Sequence, residues 1–167
     1  MKCNCQEFEK KYPDCTFCND GQKIPVQENK RKYILNNLSA QRVCTITIDG
    51  CVIDAQNQRK CDYLMIVCNT EKVANDNNMD AGEKMYFIEL KGKDLISAVE
   101  QLTQTIEYFE PQIIGTVFAR AVLSKVSKFN APKSIENDSR VKKLKSLLKK
   151  YGGNFEYGSV QFEKDKI

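Results

Sequence analysis

The sequence predicts an α/β protein: one central mixed sheet flanked by helices, preceded by a small irregular, cysteine-containing head. Three observations carry this expectation. Apolar, β-branched runs at 43–48, 63–68 and 85–91 have strand composition. Two segments, 94–109 and 139–151, repeat apolar residues at helical spacing and carry their own start and stop signals. The chain has 167 residues, enough for one sizeable core and too few for two.

Taken in order, residues 1–26 are polar, with Pro13, Gly21 and Pro25, and form the expected irregular head, leaving 27–167 as the main domain. Residues 27–38 read as a short helix of poor period. Val43 to Ile48 is a strand, and Asp49-Gly50 is a tight-turn signal after which Cys51-Val52-Ile53 reads as the returning strand. The unbroken apolar run at 63–68 predicts a strand buried on both faces. Residues 69–84 contain NDNNMDAG, a loop composition. The strand at 85–91 ends at Gly92, and Asp94 caps a helix whose Leu95, Ala98, Val99, Leu102, Ile106 and Phe109 share one face. Pro111 stops that helix. A strand at 116–123 follows, then the helix at 139–151 closed by Gly152-Gly153, then one or two strands within 154–162.

Composition narrows the chemistry. Apolar residues make up 41% and charged residues 29%, ordinary for a globular protein. No run approaches the length of a membrane helix, and the N-terminus lacks the apolar stretch of a secretion signal, so the expectation is a cytoplasmic protein without a membrane partner. Histidine is absent. That excludes His-based triads, His-Asn-His nucleases and imidazole zinc sites, leaving carboxylates, lysine, cysteine or a metal.

Asp62, Glu89 and Lys91 form the most informative constellation. Asp62 opens one core strand, and Glu89 and Lys91 lie two apart at the end of the next, hence on one face. If the strands are neighbours, two carboxylates converge there as a hard-oxygen site for Mg²⁺ or Mn²⁺, with an ammonium beside it. Charges in a strand as apolar as MYFIELKG cost free energy unless paired with each other or with a metal. Asp49 and Asp54 read as turn residues.

Over residues 42–125, KCDYLMIV followed by YFIELKGKDLISAVEQL resembles the PD-(D/E)XK nuclease superfamily, in particular its small bacterial members. The resemblance implies a restriction-endonuclease-like fold and metal-dependent hydrolysis of phosphodiester bonds, usually in DNA. It further implies that Asp62 and Glu89 hold Mg²⁺ or Mn²⁺ and that Lys91 assists the attacking water. Cys61 stands where the family has proline. Glu28 is the candidate for an accessory glutamate of some branches, and Gln101 for the glutamine of an exonuclease branch, although Thr105 replaces the tyrosine expected four residues on. Phage defence or a mobile element is the implied setting, with a homodimer or larger defence complex. The alternative is a catalytically inert module of the same fold that binds nucleic acid or protein.

The eight cysteines read as two groups. Cys44, Cys51, Cys61 and Cys68 lie in apolar segments and are expected as small buried thiols. Cys3, Cys5, Cys15 and Cys18 are spaced as two thiolate pairs and are candidates for a structural Zn²⁺ site, against a head whose thiols are incidental. Residues 125–150 hold nine Lys or Arg against two Asp or Glu, a local net of +7 in a chain of +4. Lys142, Lys145 and Lys149 line one flank of the last helix, either as a solvated face or as a phosphate-binding face for DNA.

Overall fold

The structure is a computed structural model describing residues 3–68, 82–90, 94–125 and 135–167. It is α/β, as expected. Helix α1 (Asn4–Lys11) leads into strands β1 (Thr16–Asn19), β2 (Lys23–Glu28), β3 (Arg31–Asn36), β4 (Arg42–Thr47), β5 (Tyr63–Cys68) and β6 (Lys84–Glu89). Helix α2 (Leu95–Phe109), β7 (Thr116–Leu123), α3 (Ser139–Lys150), β8 (Phe155–Ser159) and β9 (Gln161–Phe162) complete the order. Six strands form one mixed sheet in the order β1-β4-β5-β6-β7-β8, and β2-β3-β9 form a second. In the larger sheet β1, β4, β5 and β6 pair antiparallel, whereas β6, β7 and β8 run parallel.

The helices among the described residues flank one face of the large sheet. Both parallel crossovers, β6-α2-β7 and β7-α3-β8, advance across the sheet in the same direction, and the right-handed crossover rule then sends both helices to one side. There α1, α2 and α3 pack on Cys44, Ile46, Leu64, Ile66, Met85, Phe87, Val117 and Ala119. The other face, with Val43, Met65, Val67, Tyr86, Ile88 and Val122, is covered by Ile24, Val26, Tyr33, Leu35 and Phe162 of the three-stranded sheet. The molecule is thus layered helix, sheet, sheet.

The N-terminal region is not irregular. Asn4–Lys11 is helical with Cys5 and Phe8 buried, β1 adds to the edge of the large sheet, and position 26 falls inside β2. Residues expected to form a helix around 27–38 instead make a hairpin, because Ile24 and Val26 alternate with polar residues and Asn29 and Lys30 turn at φ 47° and 65°. Cys51 to Ile53 form no returning strand; they continue the turn that Gly50 begins at φ 74°, with Ile53 bridged back to Asp49.

The later elements follow their sequence signals. Asp94 Oδ1 accepts from the Ser97 N–H at 2.7 Å as the α2 N-cap, and all six expected core residues of α2 are buried. Gly152 ends α3 at φ 74°, and a Cβ on Gly153 would lie 1.7 Å from the Val117 carbonyl oxygen, so the chain returns to the sheet at a distance only glycine permits. The loop expected at 69–84 and the strand end at Gly92 lie largely outside the described residues. No helix among the described residues is long and apolar enough to cross a membrane.

Six cysteines are paired, correcting the expectation of free thiols. Cys18 and Cys44 are direct cross-strand partners with Cα atoms 4.0 Å apart. Cys3 joins Cys68 at the end of β5, and Cys15 joins Cys51 in the 48–53 turn, each with Cα atoms 5.8 Å apart. Cys5 and Cys61 are free and buried. A second fastening holds the C-terminus. Buried Arg120 of β7 donates to both carboxylate oxygens of Asp165, at 2.7 and 2.9 Å, and the Tyr33 hydroxyl donates to the same carboxylate at 2.8 Å.

Candidate functional site

The antiparallel register places Tyr63 opposite Ile88, which sets Asp62 opposite Glu89 one step further along. Strand alternation turns both toward the helical layer, in line with Leu64 and Ile66 on one strand and Met85 and Phe87 on the other. Both are buried, Asp62 3% and Glu89 0% exposed. Asp62 is held by two of its neighbours. Its N–H donates to the Ile88 carbonyl at 3.1 Å, and its Oδ2 accepts from the Leu90 N–H at 2.6 Å. Lys91 lies outside the described residues.

Helix α2 braces the approach to this pair. Thr105 Oγ1 accepts from the Cys61 N–H at 2.8 Å while donating to the Gln101 carbonyl at 2.7 Å, and Gln101 Nε2 donates to the Lys60 carbonyl at 3.4 Å. Gln101 therefore buttresses the segment entering β5. It also lines a polar groove of about 430 Å³ together with Asp49, Asp54, Arg59 and Lys60. The Cys61 thiol is pushed well above its ordinary range, first by burial and then by the charge of Glu89, with a smaller push from Asp62. A thiol in that state is an inert core group rather than a nucleophile.

Glu28 reaches the same end of the sheet from the opposite face. It is the register partner of Arg31 at the tip of the β2–β3 hairpin, and Arg31 Nη1 donates to the Leu90 carbonyl at 2.5 Å. Leu90 thus joins Asp62 through its N–H and Arg31 through its carbonyl. Sequence reasoning missed Arg31 and Thr105. The Asn29-Lys30 turn was the available signal for Arg31, and the helical face shared by Gln101 and Thr105 the signal for the other.

Among the described residues, the groups of three donors with ligand atoms within 4.8 Å of one another consist of cysteines alone: Cys3, Cys5 and Cys68, and Cys5, Cys18 and Cys44. These clusters could hold a metal such as zinc. They are not the expected quartet, because Cys15 leaves it for Cys51 and Cys3 and Cys18 are paired with strand cysteines.

On α3, Lys142, Lys145 and Lys149 are exposed along one flank. Lys143 and Lys150 instead reach Glu107 at 3.0 Å and Glu110 at 3.8 Å on the α2 side. The ion pairs on that flank leave the other as the basic face.

Fold and site together define an α/β protein with a mixed sheet, three helices among the described residues and a buried carboxylate pair at one end of the sheet. No protein-family profile, curated protein or solved structure matches the chain.

Proposed function

We propose that the chain is a small metal-dependent nuclease of the PD-(D/E)XK type, with a restriction-endonuclease-like core, that hydrolyses phosphodiester bonds in DNA. The observation that carries the reading is the pairing of Asp62 with Glu89 across β5 and β6, on one face, at the end of β6 where Lys91 follows. A bound Mg²⁺ or Mn²⁺ supplies charge neutralisation at the phosphate and an acidified water. Asp62 and Glu89 hold the cation. The Leu90 N–H fixes the Asp62 carboxylate so that little reorganisation is needed on loading. Lys91 orients the attacking water, and Glu28 and Gln101 stand as accessory groups. The groove beside Gln101 admits the sugar–phosphate chain, and Lys142, Lys145 and Lys149 add affinity without reading sequence. Action in phage defence or on a mobile element, as a homodimer or within a larger complex, extends the same reading, as does a cytoplasmic setting with the sulfurs reduced.

Burial favours one other reading. A carboxylate that is 3% exposed and already bonded to a backbone N–H also serves a catalytically inert module that binds nucleic acid or protein. Cleavage assays with Mg²⁺ and Mn²⁺ on supercoiled, linear and single-stranded DNA separate the two. The nuclease loses cleavage in Asp62→Asn and Glu89→Gln and loses about 10²–10⁴-fold in turnover in Lys91→Ala. Wild-type inactivity on all three substrates selects the inert module.

A further inference from the structure

The cysteines at the other end of β5 form a centre that the nuclease reading does not use. Asp62 immediately precedes β5 and Cys68 closes it, so the two stand about 20 Å apart at strand rise. There the free Cys5 sulfur lies between two disulfides. Its thiol donates to the Ile66 carbonyl at 3.4 Å, and it belongs both to the group with Cys3 and Cys68 and to the group with Cys18 and Cys44. In each group all three sulfurs lie within 4.8 Å of one another.

We infer that, with its disulfides reduced, the chain holds one zinc ion through Cys5 and the thiolates of the flanking pairs Cys3/Cys68 and Cys18/Cys44. Tetrahedral zinc with Zn–S bonds of about 2.3 Å requires sulfurs about 3.8 Å apart. That lies below the 4.8 Å bound on each group, so a reduced pair needs to open only from bonding distance to meet it. One group supplies three ligands and the neighbouring pair the fourth, with Cys5 common to either choice. Cys44 and Cys68 are fixed on adjacent central strands, so half the site is built by the sheet. Soft thiolates without histidine suit zinc and disfavour Mg²⁺.

Opening each disulfide takes two electrons and two protons from a dithiol, which is itself oxidised to a disulfide. Zinc then displaces the thiol protons to solvent. The centre has a clear structural use. α1 buries only Cys5 and Phe8, so a fastening through its cysteines adds to the Asn4 hydrogen bonds and the β1–β4 pairing that hold the N-terminal segment. Disulfides fasten that segment in an oxidising medium and zinc fastens it in a reducing one.

The test uses the full chain, reduced with a dithiol, desalted without oxygen and titrated with zinc against a chromophoric chelator. The expected result is one zinc per chain in the reduced protein and none in the oxidised one, with Co²⁺ giving a tetrahedral thiolate spectrum in its place. Cys5→Ser should weaken binding by more than the roughly 10–100-fold typical of losing an outer partner. It should leave all three disulfides of the oxidised protein intact, since none uses Cys5, and lower melting only by the cost of a hydroxyl in an apolar site. Cys15→Ser with Cys51→Ser should leave stoichiometry and affinity as in the reduced wild type. A footprint on the wild type needs no variant: zinc should slow alkylation of at least one of half-buried Cys3 and Cys18 and leave half-buried Cys15 and Cys51 at their metal-free rates. A reduced wild type that takes up no zinc, full affinity in Cys5→Ser, or equal protection of all four half-buried cysteines would overturn the inference.

Discussion

Substituting Asp165 by Asn tests the fastening of the C-terminus, where geometry is dense enough to give a magnitude. Arg120 is 2% exposed, sits among the rings of Tyr86, Phe118 and Phe162, and makes a bidentate pair with Asp165. Its Nη1 also donates to the carbonyls of Ala119 and Asn154 at 2.9 and 3.0 Å. Asp165→Asn removes the countercharge and leaves the guanidinium in place. Breaking a buried pair from one side costs about 3–5 kcal/mol. The backbone acceptors remain, and Glu156 lies 3.4 Å from Arg120 Nη2, so the lower end, about 3 kcal/mol, is expected. For a chain of this length that is a fall of about 6–12 °C in Tm. Replacing both partners, Arg120→Met with Asp165→Leu, should cost less than the two single changes added together, because no charge is left buried. Tyr33→Phe should cost about 1 kcal/mol in the wild type and less once Asp165 is Asn. Thermal and urea unfolding of the oxidised protein measure all of these. A loss below about 1 kcal/mol for Asp165→Asn, or strict additivity of the pair, would refute the coupling argued from the structure.

Three further outcomes are expected. Gly153→Ala places a methyl 1.7 Å from the Val117 carbonyl oxygen, a backbone atom in a central strand, and should destabilise by about 1–3 kcal/mol; a neutral melt would contradict it. Asp138 caps α3 and is held down to about 2, against its usual 3.8, first by the hydrogen bond from the Arg140 side chain. Its contribution is therefore present above pH 3.8 and lost as pH falls through about 2, and an NMR titration should move that midpoint back up in Arg140→Gln. Changing Lys142, Lys145 and Lys149 together to Gln should weaken DNA binding equally across sequences and shrink the log–log salt slope by roughly 0.9 for each phosphate no longer neutralised; an unchanged slope makes the helix flank merely solvated.

What the sequence made legible tracks how local each signal is. The strands at 63–68 and 116–123 and both long helices announce themselves through apolar runs, caps and terminal glycines, all read within a few residues. The N-terminal region did not, because its structure is decided elsewhere. β1 is a strand by virtue of its partner β4, and β2 with Pro25 stands at a sheet edge, where proline is tolerated. Cysteine pairing is non-local in the same sense: Cys18 meets Cys44 through strand register, which spacing along the chain does not encode. Strand phase makes Glu89 and Lys91 legible as sharing a face, whereas Asp62 meets Glu89 only because β5 pairs with β6. The hairpin that brings Glu28 and Arg31 to Leu90 depends on the region read as a helix, so their place beside the pair was not legible.

The claim that Asp62 and Glu89 hold a catalytic cation is tested most directly by titrating the intact chain with Mn²⁺ under paramagnetic resonance, wild type beside Glu89→Gln. The proposal predicts saturable binding in the wild type, competed by Mg²⁺ and abolished by Glu89→Gln, with melting of the metal-free variant close to wild type. No detectable Mn²⁺ binding in the wild type, or equal binding in both proteins, would contradict it.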